Sequence, residues 1–234
     1  MCHKIAHQNP IMWQTKNIVR FSSVLVKSLV IDPRIIMLDV GLDNPTIIIE
    51  YCTFYKFSHV LNIDTRKRDI ASLSNIISVT IIDSSFIDTN STTTGSVINV
   101  YLSRGLLHAL NISVSGSTFV NNSASMLGGA ICIRTEKYIS IENAVPIIFV
   151  SRSLFVDNFV GKLGGSVFLG KGIIASFVNC NFSISNKELI LTNTEQAAVV
   201  LSRGVLTLIN VHFIVKQKTS ASVIALNNRW VTPD

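Results

Sequence analysis

The chain has 234 residues, of which 48% are apolar and 15% are charged, so it can form a hydrophobic core and is not a disordered segment. Its formal net charge of +6 is spread along the whole chain and does not by itself indicate nucleic-acid binding. No apolar run approaches the roughly 20 residues that a membrane-spanning helix requires, so no transmembrane segment is predicted.

The N-terminal residues precede the regular part of the chain. Residues 1–17 form a polar tail without the apolar stretch that marks a secretory signal peptide. Residues 18–45 are interpreted as an N-terminal cap or a first irregular coil. Residues 46–234 are regular, and we expect this part to be truncated at its C-terminus, because nothing after Asn228 could cap a last coil.

A repeat anchored by phenylalanine starts at residue 46, with anchors spaced by 27 to 36 residues. The residues five and seven positions before every anchor are apolar, and the residue two positions before it is small. Apolar side chains at alternate positions are typical of a strand with one buried face. The anchors are Phe54, Phe86, Phe119, Phe155, Phe182 and Phe213.

Glycine pairs follow two of the anchors and lead into a second strand. Gly128-Gly129-Ala130-Ile131 and Gly164-Gly165-Ser166-Val167 would turn the chain tightly through positive φ angles. Three residues after the same anchors, Asn122 and Asn158 are expected to adopt a left-handed turn and to bond neighbouring backbone through their amides. The predicted structural turn residues are Asn122, Asn158, Gly128, Gly129, Gly164 and Gly165.

These repeats predict an all-β fold, a single-stranded right-handed parallel β-helix (solenoid) of about six to seven coils. In such a fold equivalent side chains stack ~4.8 Å apart, so each column repeats one residue type along the solenoid. An antiparallel sandwich would not produce these columns. The right-handed sense follows from the general preference of parallel crossover connections.

Two of the repeats resemble a known family. Phe119-Val120-Asn121-Asn122 and Phe155-Val156-Asp157-Asn158, each followed by its glycine pair, are similar to the F-x-x-N and G-G-A-I repeats of chlamydial polymorphic outer-membrane proteins. Other repeats depart from the pattern; after Phe86, for example, Thr89 stands where the family has Asn. The resemblance implies a right-handed β-helix of the kind that these proteins export as an adhesive passenger, but it does not carry their transport function to this chain.

A third recurrent element, Leu-x-basic-Gly, places three cations at one repeat-equivalent position. A basic stripe there could contact a polyanion such as an anionic glycan or a membrane surface. The alternative is that these side chains are ordinary solvated turn residues. The longest repeat interrupts the pattern at Arg134–Pro146, which is the candidate contact loop, and Arg134 is expected near the stripe. The predicted polyanion contacts are Arg104, Lys171 and Arg203.

The remaining reactive side chains predict no chemistry. The four cysteines lack a C-x-x-C spacing and are interpreted as isolated thiols, so neither a metal nor another cofactor is predicted. His59, His108 and His212 are expected at the surface or at an edge. Glycosylation sequons are no more frequent than chance would give, so they are compatible with secretion without arguing for it. They start at Asn90, Asn111, Asn121 and Asn181.

Two function classes follow from the sequence. The first is a non-catalytic β-helix segment of a surface or secreted protein that serves adhesion by binding a glycan or a cell-surface protein. It implies an extracellular or cell-surface location if the chain is part of a longer protein. The alternative is a polysaccharide lyase or glycoside hydrolase acting on an acidic polysaccharide, which needs clustered carboxylates. Asp88 and Asp157 share a repeat position, but Asn121 separates them, so a binding role is favoured.

Overall fold

The computed structural model of the protein describes residues 3–5, 18–27, 34–38, 46–64, 76–102, 109–135, 145–161, 164–184, 198–202, 204–215 and 224–227. The regular structure within these ranges consists of short β-strands, and every strand pair among them is parallel. These ranges contain no helix that is long and apolar enough to span a membrane.

The strands are numbered in chain order. They are β1 (His3–Ile5), β2 (Ile18–Ser22), β3 (Val24–Lys27), β4 (Arg34–Leu38), β5 (Thr46–Glu50), β6 (Thr53–Tyr55), β7 (His59–Asp64), β8 (Ile76–Ile82), β9 (Ser85–Ile87), β10 (Asn90–Ser91), β11 (Ile98–Leu102), β12 (Ala109–Ser115), β13 (Thr118–Val120), β14 (Ser123–Ala124), β15 (Ile131–Thr135), β16 (Ile147–Ser151), β17 (Leu154–Val156), β18 (Phe159–Val160), β19 (Val167–Leu169), β20 (Ile174–Val178), β21 (Asn181–Ile184), β22 (Val199–Ser202), β23 (Val205–Ile209), β24 (His212–Val215) and β25 (Ile224–Asn227).

The strands stack into three long sheets, named A, B and C, and one short sheet, D. Successive strands belong to different sheets, so the chain winds around a common core and passes from sheet C to sheet A to sheet B once per coil. In spatial order sheet A is β1-β3-β6-β9-β13-β17-β21-β24, sheet B is β4-β7-β11-β15-β19-β22-β25, sheet C is β2-β5-β8-β12-β16-β20-β23 and sheet D is β10-β14-β18.

This arrangement confirms the predicted all-β parallel solenoid. About four consecutive coils, beginning at β5, β8, β12 and β16, are described with their side chains in all three long sheets. That is fewer than the predicted six to seven coils, and strands of further coils extend the sheets on both sides. Toward the N-terminus, β2, β3 and β4 pair with β5, β6 and β7. The right-handed sense stays a prediction.

The phenylalanine anchors form one continuous stack through the core. The strand register pairs each anchor with the next, from Phe54 to Phe213. Ring centroids of successive anchors lie 4.6 to 5.3 Å apart, and the ring planes are within 17° of parallel. All the anchors are buried except Phe213, which is half-buried in the last coil. Each buried ring contributes ~1.5–3 kcal/mol through the area it removes from water.

Sheet C supplies the two apolar columns that face this stack. The residues seven and five positions before the anchors pair in register along the whole sheet, as in Ile47 with Val79 and Ile49 with Ile81. Their side chains are buried in the four complete coils. Because like residues lie above like, the apolar repeat in the sequence becomes a continuous core.

A ladder of small polar side chains holds the corner between sheets C and A. Its members are Cys52, Ser84, Ser117, Ser153 and Cys180, all buried. We name it the hydroxyl ladder after its three serines. The backbone N–H of Ser84 donates to Ser117 Oγ at 3.2 Å, and Ser117 Oγ in turn donates to the Ser115 carbonyl at 3.0 Å. Since the pattern repeats from coil to coil, these polar groups of the turn find hydrogen-bond partners within the chain.

The glycine pairs lie where the chain enters sheet B. Gly128 and Gly164 adopt positive φ angles of 56° and 71°, which favour glycine. Gly129 is needed for another reason, since a Cβ there would lie 2.2 Å from the Gly165 carbonyl oxygen and 2.4 Å from that of Phe159. This close approach of backbones lets consecutive coils stack directly at the turn.

Candidate ligand-binding surface

The outer side of sheet B carries a row of charged and aromatic side chains. Asp64 on β7, Tyr101 on β11 and Arg134 on β15 are in register on adjacent strands, and all three are half-exposed. They alternate with buried apolar residues such as Ile63, Val100 and Ile133, so the strand period itself turns the row outward. The sheet therefore presents an acid, an aromatic ring and a guanidinium in one line.

Arg134 is held against the ring of Tyr101. Its guanidinium carbon lies 4.9 Å from the ring centroid, which is the geometry of a cation–π contact. Its Nε is buried and has no hydrogen-bond partner. The stack orients the planar guanidinium, so less side-chain entropy is lost when it binds a carboxylate or a sulfate.

Lys171 lies one coil further, in the turn after β19. Thr135 Oγ1 donates to its backbone carbonyl at 2.8 Å, and the side chain is half-exposed. Just before it, Gly170 allows the coils to approach, since a Cβ there would lie 3.2 Å from the Arg134 Cα. The backbones of Arg134 and Lys171 are thus close to each other on successive coils.

The register locates one member of the predicted basic stripe, Lys171. Ile133 pairs with both Val100 and Leu169, which places Lys171 beside Thr135 and Leu102. The Leu-x-basic-Gly pattern equates Lys171 with a residue two positions further along. The described register ends at Leu102, two positions before Arg104, and the repeat equivalence of Arg104 and Lys171 stays a prediction. Arg104 and Arg203 themselves lie outside the described residues.

The candidate contact loop is described only at its two ends. Arg134 and Thr135 end β15, and Val145 and Pro146 precede β16. Residues 136–144 lie outside the described residues. The contact role of the loop stays a prediction. The candidate binding surface therefore rests on the two cations next to the loop, Arg134 on β15 and Lys171 after β19.

The sequon asparagines all have exposed side chains, and they lie in different places. Asn90, Asn111 and Asn181 lie on strands β10, β12 and β21. Asn121 lies in a turn with a φ of 53°, and its Nδ2 donates to Asp88 Oδ1 at 2.7 Å. Glycosylation of these residues stays a prediction.

Asn122 and Asn158 form a buried ladder together with Thr89, named the amide ladder. Asn122 Nδ2 donates to Asn158 Oδ1 at 2.9 Å and to the Phe86 carbonyl at 3.1 Å. Asn158 Nδ2 repeats the pattern by donating to the Phe119 carbonyl at 3.0 Å. The expected left-handed conformation is not theirs: it belongs to the residue before each of them, Asn121 and Asp157.

A cluster of buried polar groups lies beside the amide ladder, and sequence reasoning missed it. His59 is buried, contrary to the expectation of a surface or edge position. Its Nε2 lies 3.0 Å from Ser91 Oγ and 3.0 Å from the Thr94 carbonyl oxygen. Because Ser91 is fully buried, a substrate cannot reach this serine–histidine pair, and the cluster is structural. His212 is exposed, and His108 lies outside the described residues.

The carboxylates that would support hydrolase or lyase chemistry are dispersed. Asp88 and Asp157 occupy equivalent turns on either side of Asn121, whose amide bonds Asp88. In the described part of the chain no group of three or more His, Cys, Asp and Glu side chains is arranged to hold a metal ion. The enzymatic alternative stays a prediction, and no contact between the described residues favours it.

The described cysteines are isolated buried thiols. Cys52, Cys132 and Cys180 form no disulfide bond among the described residues, and Cys2 lies outside them. Burial raises the pKa of Cys132 to about 12, against a smaller opposing effect of nearby Arg134. Burial likewise raises the pKa of the Cys180 thiol. A protonated, buried thiol is a poor nucleophile, so these side chains fill the core.

No protein-family model, no curated protein and no solved structure matches this chain. The fold is therefore established by the sheets and the register alone. The likeness of two repeats to those of chlamydial polymorphic outer-membrane proteins stays a resemblance.

Proposed function

We propose that the protein is a non-catalytic β-solenoid segment of a surface or secreted protein and that it binds an anionic glycan. The observation that carries the proposal is the stack of Arg134 on Tyr101 with Lys171 on the next coil. The row lies on the outer side of sheet B, where a linear polysaccharide could extend along the solenoid. The resemblance of two repeats to those of adhesive surface proteins supports the location.

The chemistry of Arg134 and Lys171, at the end of the row away from Asp64, suits an acidic sugar. A guanidinium binds a carboxylate or sulfate through two parallel hydrogen bonds, and an ammonium adds a second point charge. The exposed part of the Tyr101 ring offers an apolar surface next to these charges. Adjacent coils repeat every ~4.8 Å, so Arg134 and Lys171 can contact the same or neighbouring sugar units.

The test is retention of the purified chain on immobilised heparin and on immobilised polygalacturonate, eluted with a salt gradient. The double variant Arg134→Glu, Lys171→Glu should elute at clearly lower salt, because it removes the contacts and adds repulsion. Arg134→Lys should weaken retention less, because it keeps the charge and loses the planar stack.

A matched control keeps the change in net charge but moves it to another face. Lys56→Glu, Arg152→Glu reverses two exposed cations in turns outside sheet B. Lys56 also contacts an aromatic ring, that of Tyr55, at 5.1 Å. Equal losses in both double variants would mean that retention reports only net charge, and the proposed site would be wrong. Release of unsaturated sugars from polygalacturonate would contradict the non-catalytic role.

A further inference from the structure

The strand β23 is the outermost described strand of sheet C at the C-terminal end of the solenoid. One of its edges pairs in parallel with β20, and no strand among the described residues pairs with the other edge. At the start of β23 the Val205 N–H donates to the Ile173 carbonyl at 3.0 Å, on the β20 side. Alternate residues of a strand direct their backbone groups to opposite sides, so those of Leu206 and Leu208 face the open edge.

The side chains of β23 are less buried than those of the strand it pairs with. Leu206 and Leu208 point toward the core and are half-buried, whereas the two residues of β20 with which they pair are fully buried. On the outer side, Val205 is 55% exposed and Ile209 is 48% exposed. The open edge therefore combines outward-facing backbone groups with apolar side chains on both faces of the strand.

The sequence of β23, Val-Leu-Thr-Leu-Ile, reads almost the same in both directions. In an antiparallel pair of two such strands centred on Thr207, Leu206 of one copy lies opposite Leu208 of the other. Val205 then lies opposite Ile209, and Thr207 lies opposite itself. Pairs of β-branched residues and of two threonines directly across a sheet are favourable. The edge is thus complementary to itself, as a two-fold contact requires.

We propose that β23 pairs antiparallel with β23 of a second copy of the chain, so that sheet C continues across a two-fold axis at Thr207. In this register Leu206 and Leu208 form the hydrogen-bonded pairs, because their backbone groups face the open edge. Thr207 directs its own backbone groups toward β20 and occupies the non-hydrogen-bonded pair on the axis. Addition of a strand to a sheet edge obtains its affinity from these main-chain hydrogen bonds.

The opposite end of sheet C carries a charge that disfavours the same contact. The outermost described strand there is β2, and its central residue is Arg20. An antiparallel pair of two β2 strands would set Arg20 opposite Arg20, and like charges directly opposite each other are destabilising. Charged side chains commonly protect edge strands from pairing, and β23 has none. The contact therefore joins the two C-terminal ends and closes at two copies.

Disulfide trapping tests the register of this contact. Cys2→Ser is introduced first, which leaves the three buried cysteines as the native thiols. In that background Thr207→Cys places two thiols across the axis, where the Cα atoms of a non-hydrogen-bonded pair lie ~4.5 Å apart and can be bridged. Oxidation in air should convert this variant to a covalent dimer on a non-reducing gel.

Val205→Cys is the matched control on the same strand. Its side chain is also exposed, but its symmetry mate lies ~14 Å away in the proposed register, beyond the ~7 Å limit for a disulfide. It should stay monomeric, and the double variant Val205→Cys, Ile209→Cys should cross-link again. Equal cross-linking of Val205→Cys and Thr207→Cys would overturn the proposal, as would the absence of a dimer from both Thr207→Cys and the double variant.

Sedimentation equilibrium of the parent chain tests closure. The weight-average mass should approach twice the 25.7 kDa of one chain as the concentration is raised, and should not exceed it. Thr207→Arg sets like charges across the axis and should keep the chain monomeric. Ser113→Arg, in the same outward column but three coils away, should leave the association unchanged.

Two results of this experiment would contradict the contact. A mass that rises beyond two chains would assign the association to pairing of β2 with β23, which has no closed end. A parent chain that stays monomeric at every concentration would remove the association itself. The candidate glycan-binding row lies on sheet B, away from this edge, so the two proposals can fail independently.

Discussion

The solenoid turns two corners, on either side of sheet A, with the same backbone and different buried side chains. At each corner one residue per coil has a positive φ, and its N–H donates to a carbonyl of the next coil. Asp83 donates to the Ser115 carbonyl at 2.9 Å at the first corner, and Asp88 donates to the Val120 carbonyl at 3.1 Å at the second. The hydroxyl ladder follows the first of these residues, and the amide ladder follows the second.

The two ladders differ in how much each side chain connects. A hydroxyl in the first ladder accepts one backbone N–H and donates to one carbonyl, as Ser117 does. An amide in the second ladder bonds two backbone groups of the preceding coil and also the amide of the next coil, as Asn122 does. The hydroxyl ladder continues through five coils, whereas the amide ladder covers three. The small side chains of the first ladder, serine or cysteine, therefore repeat through more coils than the side chains of the second.

The positive-φ residues themselves are chemically diverse. At the first corner they are Ser23, Tyr51, Asp83, Gly116, Arg152, Asn179 and Asn210; at the second they are Lys56, Asp88, Asn121 and Asp157. Their side chains point to solvent, so packing does not restrict their type. The left-handed conformation costs a non-glycine residue ~1–2 kcal/mol, which is the one local term against it. The sequence signal of a corner is therefore the buried ladder residue and not the left-handed residue.

The largest expected effect is at the amide ladder. Asn122→Ala removes the acceptor of Thr89 N–H and the donor to the Phe86 carbonyl, and both groups are buried. Each buried group left without a partner costs ~1–3 kcal/mol, so we expect the free energy of unfolding to fall by about 3–5 kcal/mol. Equilibrium urea unfolding measures this loss.

The neighbouring residue is the matched control. Asn121→Ala changes an exposed asparagine that has the positive φ and whose side-chain amide donates to Asp88. We expect a loss of about 1 kcal/mol or less. Similar losses for Asn121→Ala and Asn122→Ala would contradict the view that the buried side chain defines the corner.

The sequence predicts the inner columns well because they repeat one residue type. In a parallel stack each buried side chain packs against the equivalent side chain of the next coil. A residue type that packs well on itself is therefore repeated, as in Phe86, Phe119 and Phe155, and the repeat is visible in the sequence. The same logic found Asn122 and Asn158. It missed that Thr89 takes part in their ladder, where its Oγ1 donates to Asn122 Oδ1 at 2.7 Å.

The outward-facing columns do not repeat one residue type, so the sequence alone predicts their register poorly. Water accepts any polar residue, so Asp64, Tyr101 and Arg134 share a column without sharing a type. The basic stripe stays a prediction for the same reason, since an outward Leu-x-basic-Gly pattern has nothing to fix its register, and Lys171 is its only member among the described residues.

An intermediate effect, dependent on pH, is expected at the hydroxyl ladder. Cys180 is buried in it, and its Sγ donates to the Val178 carbonyl at 3.4 Å. Burial raises the pKa of this thiol in the folded state. Above about pH 8.5 the unfolded chain loses the thiol proton while the folded chain keeps it, so stability falls as pH rises. The slope is at most ~1.4 kcal/mol per pH unit for one group.

The hydroxyl of the preceding coil suggests the matched variant. Cys180→Ser should keep the ladder, as Ser153 does, and remove this group's titration. Thermal unfolding between pH 8 and pH 10 should therefore decline less steeply for Cys180→Ser than for the parent chain. Parallel curves would show that the ladder thiol is not protected from ionisation by its burial.

The smallest effect, with the opposite sign, is expected at the left-handed residue of the first corner. Tyr51 has a φ of 53° and a side chain that is 59% exposed, so it has backbone strain and little packing. Tyr51→Gly should relieve this strain and, after the entropy cost of glycine, stabilise the chain by up to about 1 kcal/mol in urea unfolding. Thr53→Gly, on the extended strand β6, has no strain to relieve and should destabilise by about 1 kcal/mol. Loss of stability in both variants would mean that the exposed corner residue is also constrained in its identity. That result would contradict the view that only the buried residue of a corner is constrained.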